Sequence, residues 1–274
     1  MKLLLSALLC LGLMSSAVAQ NQSPRVLASV HPLALVAASV VEPDSLEVLL
    51  PKGMTPHDFS LRPSDIDRIQ SADIILWAGA VAEPYLAGFV DRWPEKQWLD
   101  VSLGKTASSI KDPHWWFSTE LMIDAQQQLA RMLKLPSNDF EQQVNKAVEQ
   151  AQLQLAPVQH RGFLVFHQAY DHWVEAMQLN QIGAFTISPE LKPGAKTIQR
   201  MRQQLSKGEV VCVFSEPEFS PNIVETVIRG IDIQRGELDP MAYNIPLQTD
   251  GYLLFINDLT QRFVSCLTEQ EIKN

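Results

Sequence analysis

The chain has 274 residues, 46 % of them hydrophobic, and a formal charge of −9 at neutral pH. That length can bury one large core or two lobes. The acidic balance argues against nucleic acid or an anionic membrane surface as partner. Lys2, an apolar run from Leu3 to Met14 and then Ser15-Ser16-Ala17-Val18-Ala19 have the form of a secretory signal peptide over residues 1–19. The run is too short to span a bilayer, and Leu9 stands where a lipoprotein signal at Cys10 would want a small residue. Processing leaves Cys212 and Cys266. Two cysteines in an exported chain suggest one disulfide, with two buried thiols as the alternative.

In chain order, Arg25–Val30 reads as a strand, His31-Pro32 follows it, and Leu33–Val41 reads as a helix. Leu46–Leu50 is a second strand, followed by a loop broken by Pro51, Gly53 and Pro56 that carries His57. Ser64-Asp65-Ile66-Asp67 opens a helix to Ser71, and Asp73–Trp77 is a third strand ending near Gly79. Glu83–Trp93 is a helix with Pro84 in its first turn, and Gln97–Val101 a fourth strand. Strands alternating with helices at this spacing predict a parallel α/β unit. Asp112-Pro113-His114-Trp115-Trp116-Phe117 breaks the alternation.

Two helices follow, 119–134 and 138–156, both with apolar residues at a helical period. The second has few breakers before Pro157 and suits a stiff connector. A second α/β unit then begins. Strands are expected at Phe163–Phe166, ending at His167, and at Gln181–Thr186, Val210–Phe214 and Ile231–Leu238. Helices are expected at Tyr170–Met177, Gly194–Leu205 and Glu218–Gly230, and one after Asp250.

Three histidines occupy parallel settings after strands: His57, His114 and His167. Asp239 ends the last strand. Ligands of open parallel sheets gather at the carboxyl ends of the strands. If the two halves face each other, these four side chains converge. Three imidazoles and a carboxylate make a shell that zinc accepts, with no vacant position, which favours holding a metal over activating water on it. Each residue also has a plain reading: a solvated loop histidine at 57, packed aromatic structure at 114, a core histidine at 167, a turn cap at 239. His31 is a possible cleft residue, while His160 and His172 read as surface or helix-face residues. There is no His-Glu-x-x-His, no Gly-x-Ser-x-Gly and no glycine-rich phosphate loop.

The block LLPKGMTPHDFSLRPSDIDRIQSADIIL (49–76), with Ser29–Ala37, Asp112–Trp116, VFHQAY (165–170), GAFTISPELKPGAK (183–196), Cys212–Glu225 and Gly236–Pro240, resembles the ZnuA-like zinc-binding proteins of bacterial ABC importers. The resemblance implies an α/β fold of two parallel-sheet lobes, residues 20–136 and 159–274, joined by one long rigid helix at 137–158. It implies Zn²⁺ held between the lobes by His57, His114, His167 and Asp239. It also implies a Cys212–Cys266 disulfide, a periplasmic location, and delivery of zinc to a membrane permease by a monomer that catalyses nothing. Zinc-specific relatives have histidine where His167 stands, whereas manganese-specific ones have glutamate, in keeping with the preferences of the two metals. Two departures stand out. The segment Gly104–Lys111 carries no histidine, so a zinc-scavenging loop is absent. After His114 the chain reads Trp116-Phe117-Ser118-Thr119 where relatives continue with Leu-Asp-Pro, which leaves the support of that ligand open. Water can replace Asp239 in such sites. The rival readings are a manganese or iron importer component, an exported zinc hydrolase with an open metal position, and a surface adhesin.

Overall fold

The computed structural model describes residues 23–104, 112–136, 138–187, 191, 193–220 and 222–268; the signal-like segment 1–19 and most of 104–111 lie outside them. The strands are β1 (Val26–Ala28), β2 (Leu46–Val48), β3 (Ile74–Trp77), β4 (Gln97–Asp100), β5 (Phe163–His167), β6 (Gln181–Thr186), β7 (Cys212–Ser215) and β8 (Gln234–Glu237). The helices are α1 (His31–Ala37), α2 (Pro63–Ser71), α3 (Gly79–Ala82), α4 (Pro84–Arg92), α5 (Thr119–Met132), α6 (Phe140–Leu155), α7 (Asp171–Met177), α8 (Ala195–Ser206), α9 (Asn222–Ile228) and α10 (Gly251–Leu267). Among the described residues the strands form two four-stranded parallel sheets, ordered β2-β1-β3-β4 and β6-β5-β7-β8. The order is the same in both halves, so each has its reversal of strand order beside its first strand: between β1 and β3, and between β5 and β7. That reversal is where open α/β sheets make a crevice.

Two apolar clusters follow from the pleat. In β5, Phe163 and Val165 face a large core that also takes in β1, β3, α6, α10 and the turn Trp115-Trp116-Phe117, while Leu164 and Phe166 face a second core under α8 and α9. With a side-chain period of two, His167 falls on the same face as Phe163 and Val165, toward the first half of the chain. The C-terminal helix α10 reaches back across the molecule to pack on α6, α1 and β8. Its first residue, Gly251, sits so close to Leu35 and to the Pro246 carbonyl that an added Cβ would lie 3.0 Å from each.

Local chemistry braces the loop that carries His57. Arg68 of α2 donates to the carbonyls of Val48 (2.6 Å) and Leu49 (3.2 Å) at the end of edge strand β2, and to Glu47 (3.0 Å). The start of α2 differs from the expected cap. Arg62 is the N-cap, and Asp65 accepts its backbone N–H at 3.0 Å and its Nε–H at 3.0 Å. The predicted elements are otherwise recovered with shifted ends. Helix α9 starts at Asn222 rather than Glu218: the proline at 221 in the sequence disfavours helical backbone at the residue before it, and Phe219 stacks on Phe166 at 5.0 Å. The short helix α3 was not expected; it begins at Gly79, whose φ of +85° suits glycine. Asp250 stands at the N-cap of α10, but its carboxylate accepts from Gln248 and not from the helix.

Cys212 and Cys266 are joined, tying β7 to α10 across 54 positions with Cα atoms 5.8 Å apart. Closing a loop of that length stabilises by about 4 kcal/mol in the chain-entropy model. Replacing both cysteines with serine is expected to lower the unfolding free energy by that order, measured by urea denaturation.

Glu83 is a buried carboxyl stitching the ends of β1 and β3. It accepts from Ser29 Oγ (2.7 Å), Ala78 N (2.5 Å) and Tyr85 Oη (2.7 Å). Burial pushes it up to about 7, against those hydrogen bonds. Between its ordinary value of 4.5 and about 7 the unfolded carboxyl is ionised while the folded one holds its proton, so this contribution to stability is lost as pH rises. The unfolding free energy of the wild type minus that of Glu83→Gln is expected to fall across this window by up to about 3 kcal/mol and to level off above it, in denaturation series at fixed ionic strength.

Candidate metal centre

The fold carries the three histidines from separate loops to one point. His57 lies beyond β2, His114 beyond β4, and His167 ends β5. Their ligand atoms lie within 4.8 Å of one another. The Nε2 atom of His114 is 3.3 Å from Nε2 of His57 and 3.3 Å from Nε2 of His167. A tetrahedral ion bound to nitrogen at about 2.05 Å sets ligand nitrogens about 3.3 Å apart. His114 and His167 are 4 % and 2 % exposed, so these nitrogens are shielded from bulk water, while His57 is partly exposed on the open side.

Two carboxylates orient the rings from behind. Asp112 Oδ1 lies 2.6 Å from His114 Nδ1 and accepts the His114 backbone N–H at 2.9 Å. Burial opposes ionisation of Asp112, but the His114 side chain and the surrounding N–H donors hold it below the usual carboxylate range. An ionised carboxylate only accepts, so Nδ1 carries the proton and Nε2 presents its lone pair to the cluster. Glu216 plays the same part for His167, with Oε1 and Oε2 at 2.8 and 2.7 Å from Nδ1, and accepts from Tyr170 Oη at 3.1 Å. Burial pushes Glu216 up to about 8, against the hydrogen bonds from Tyr170 and the His167 backbone. A cation on the far side of the ring favours Nδ1–H and the ionised carboxylate. Imidazole held by a carboxylate in this way is a common device of metal sites.

Asp239 is not in the three-histidine group. Its oxygens accept the backbone N–H groups of Met241 (2.9 Å) and Tyr243 (2.8 Å). It is raised by burial, and Glu218 beside it is pushed up to about 8 by burial and then by the charge of Asp239. His31 bonds the Ile245 carbonyl through Nε2 at 2.9 Å, which joins the start of α1 to the loop after β8. Burial lowers its pKa. His160 is exposed, whereas His172 is partly buried, against Trp115 and the Asp112 carbonyl.

Sequence reading missed the roles of Asp112 and Glu216. The first was visible in principle, two residues ahead of a candidate histidine and held there by Pro113. The second lies 49 residues from its partner, and only the strand order brings β7 beside β5.

Two parallel-sheet lobes with a histidine cluster between them define a metal-binding solute-binding protein of the importer class. The chain belongs to the ZnuA family: residues 26–266 match the family model described as zinc-uptake complex component A, periplasmic. Members of that family are binding components of uptake systems, not enzymes. The high-affinity zinc uptake system protein ZnuA of Yersinia pestis is 31 % identical, covering 89 % of this chain and 92 % of its own. The protein of that name from Haemophilus influenzae is 25 % identical over 98 % of this chain and 99 % of its own. Among solved structures, the periplasmic zinc-binding protein TroA from Treponema pallidum superposes with a TM-score of 0.76 at 19 % identity, covering 90 % of this chain and 100 % of that one. The solute-binding protein FpvC of Pseudomonas aeruginosa, in complex with Mn²⁺, gives 0.74 at 19 % identity, over 90 % of this chain and 98 % of that one. At such identities the likeness establishes fold alone. Among the described residues no helix is long and apolar enough to cross a membrane.

Proposed function

We propose that this protein captures Zn²⁺ between its lobes, with His57, His114 and His167 as ligands, and delivers it to the permease of an ABC importer. The observation that carries the reading is the arrangement of three Nε2 atoms, two spacings of 3.3 Å matching a tetrahedral edge, with His114 and His167 backed by carboxylates at Nδ1. Three neutral imidazoles suit zinc better than manganese, which favours carboxylate and water. The family match and the zinc-uptake relatives support the same cargo.

In this reading residues 1–19 direct export, 20–136 and 159–274 form the lobes, and 137–158, around α6, join them. Asp239 is taken as the fourth ligand on the family resemblance and its place after β8. The monomer binds and releases; it performs no reaction.

Metal analysis of the purified protein, with titration of the stripped form, tests this. Zinc is expected at one equivalent, and to outcompete manganese. At free zinc 1,000 times the dissociation constant, binding stabilises the fold by about 4 kcal/mol, read as a rise in Tm. His167→Ala should lose at least 100-fold in affinity, and His160→Ala should match the wild type. Equal effects of the two variants would sink the three-histidine site. Asp239→Ala with unchanged affinity would give the fourth position to water. Glu216→Ala should weaken zinc binding about 10–100-fold without removing a ligand, measured by chelator competition.

A further inference from the structure

Asp112 does more than orient one ring. It is 3 % exposed, and its two oxygens face different lobes. Oδ1 holds the His114 imidazole and backbone N–H, as described. Oδ2 accepts the backbone N–H of Asp171 at 2.9 Å, in the first turn of α7. The carbonyl of Asp112 accepts from His172 Nε2 at 3.1 Å, one residue further along α7. Helix α7 follows directly on the strand that ends at His167. Tyr170, just ahead of α7, donates to Glu216, which holds the His167 ring. A polar chain therefore runs from His114 through Asp112 to the head of α7, and from Tyr170 there through Glu216 to His167.

We propose that Asp112 is an inter-lobe latch, a positioning residue that fastens the ligand of the first lobe to the helix following the ligand of the second, so that zinc is retained only while this strap is made. The inference rests on the zinc-capture reading and adds how the captured ion is kept. With the strap in place, displacement of α7 strains the His114 ring, and a His114 ring held by the ion keeps Asp112 aimed at α7. Release then begins at this strap rather than at the histidines.

Carboxylate and amide differ here in a way that separates the two tasks. The side chain of Asp112 meets three donors: His114 N–H, His114 Nδ1–H and Asp171 N–H. Asparagine offers one accepting oxygen and one donating NH₂. Turned toward His114, its oxygen satisfies two donors and leaves the NH₂ against the Asp171 N–H; the reverse sets the NH₂ against two donors. Asp112→Asn thus keeps the ring orientation and cuts the strap, whereas Asp112→Ala removes both.

The experiment follows zinc loss from the full-length processed protein to an excess of chelator by stopped flow, with deuterium exchange at the Asp171 amide and the visible spectrum of the Co²⁺-loaded form. Asp112→Asn is expected to keep the tetrahedral cobalt spectrum, to release zinc at least tenfold faster, and to lose zinc-dependent protection at Asp171. Asp112→Ala should also alter the cobalt spectrum. His172→Ala, which removes the second half of the strap without touching a ligand, should speed release in the same direction and leave the spectrum alone; it serves if Asp112→Asn fails to fold. Wild-type release rates in Asp112→Asn and His172→Ala, with protection at Asp171 intact, would overturn the latch while leaving zinc capture standing. A wild-type protein that binds no zinc would overturn both.

Discussion

Nitrogen lone pairs set about 3.3 Å apart repel unless positive charge lies between them, and the rest of this structure exists to hold such an arrangement. No short segment can build it. The loop after β2, the segment after β4 and the end of β5 are more than fifty residues apart at each step, and each brings one imidazole. The constellation holds because each of its members is fixed by neighbouring groups. Asp112 and Glu216 set two of the rings, Arg68 ties down the edge strand behind His57, and the pleat of β5 aims His167. The parallel sheets place these devices at the same end of both lobes.

Much of this was legible in the chain. The α/β alternation, the paired helices between the two units and the disulfide partners follow from periodicity, breakers and cysteine count. The three histidines stood out because each follows a predicted strand, the place where parallel sheets keep their ligands. Three matters were hidden. The polar support of His167 depends on β7 lying beside β5, a fact of topology with no local signature. Residues 218–220 looked helical because Glu218, Phe219 and their neighbours have ordinary helix propensities; stacking of Phe219 on Phe166 holds them in a turn instead. His172, with the pattern of a helix-face residue, finds its partner in a carbonyl of the other lobe.

The departure after His114 has a structural answer. Polar support for that ring comes from the residue two positions ahead of it, while Trp116 after it packs edge-on against the imidazole with ring centroids 5.2 Å apart, and the run Trp115-Trp116-Phe117 has a second task. All three rings are buried. Trp116 donates to the Pro240 carbonyl at 2.8 Å and its own carbonyl accepts from Tyr252 at 2.9 Å, while Phe117 packs on Tyr170 and Phe255. A segment of the first lobe is thereby embedded among side chains of the second.

That wedge sets how the molecule can move. Aromatic side chains of this kind bury about 150–250 Å² each, so three of them cover roughly 600 Å². Exposing even half of that to water would cost about 7 kcal/mol, which leaves a wide-open form at around one molecule in a hundred thousand. Swinging the lobes apart is therefore a poor route for the ion to leave. The affordable excursions are those of loops and of single side chains around an aromatic pivot that stays dry.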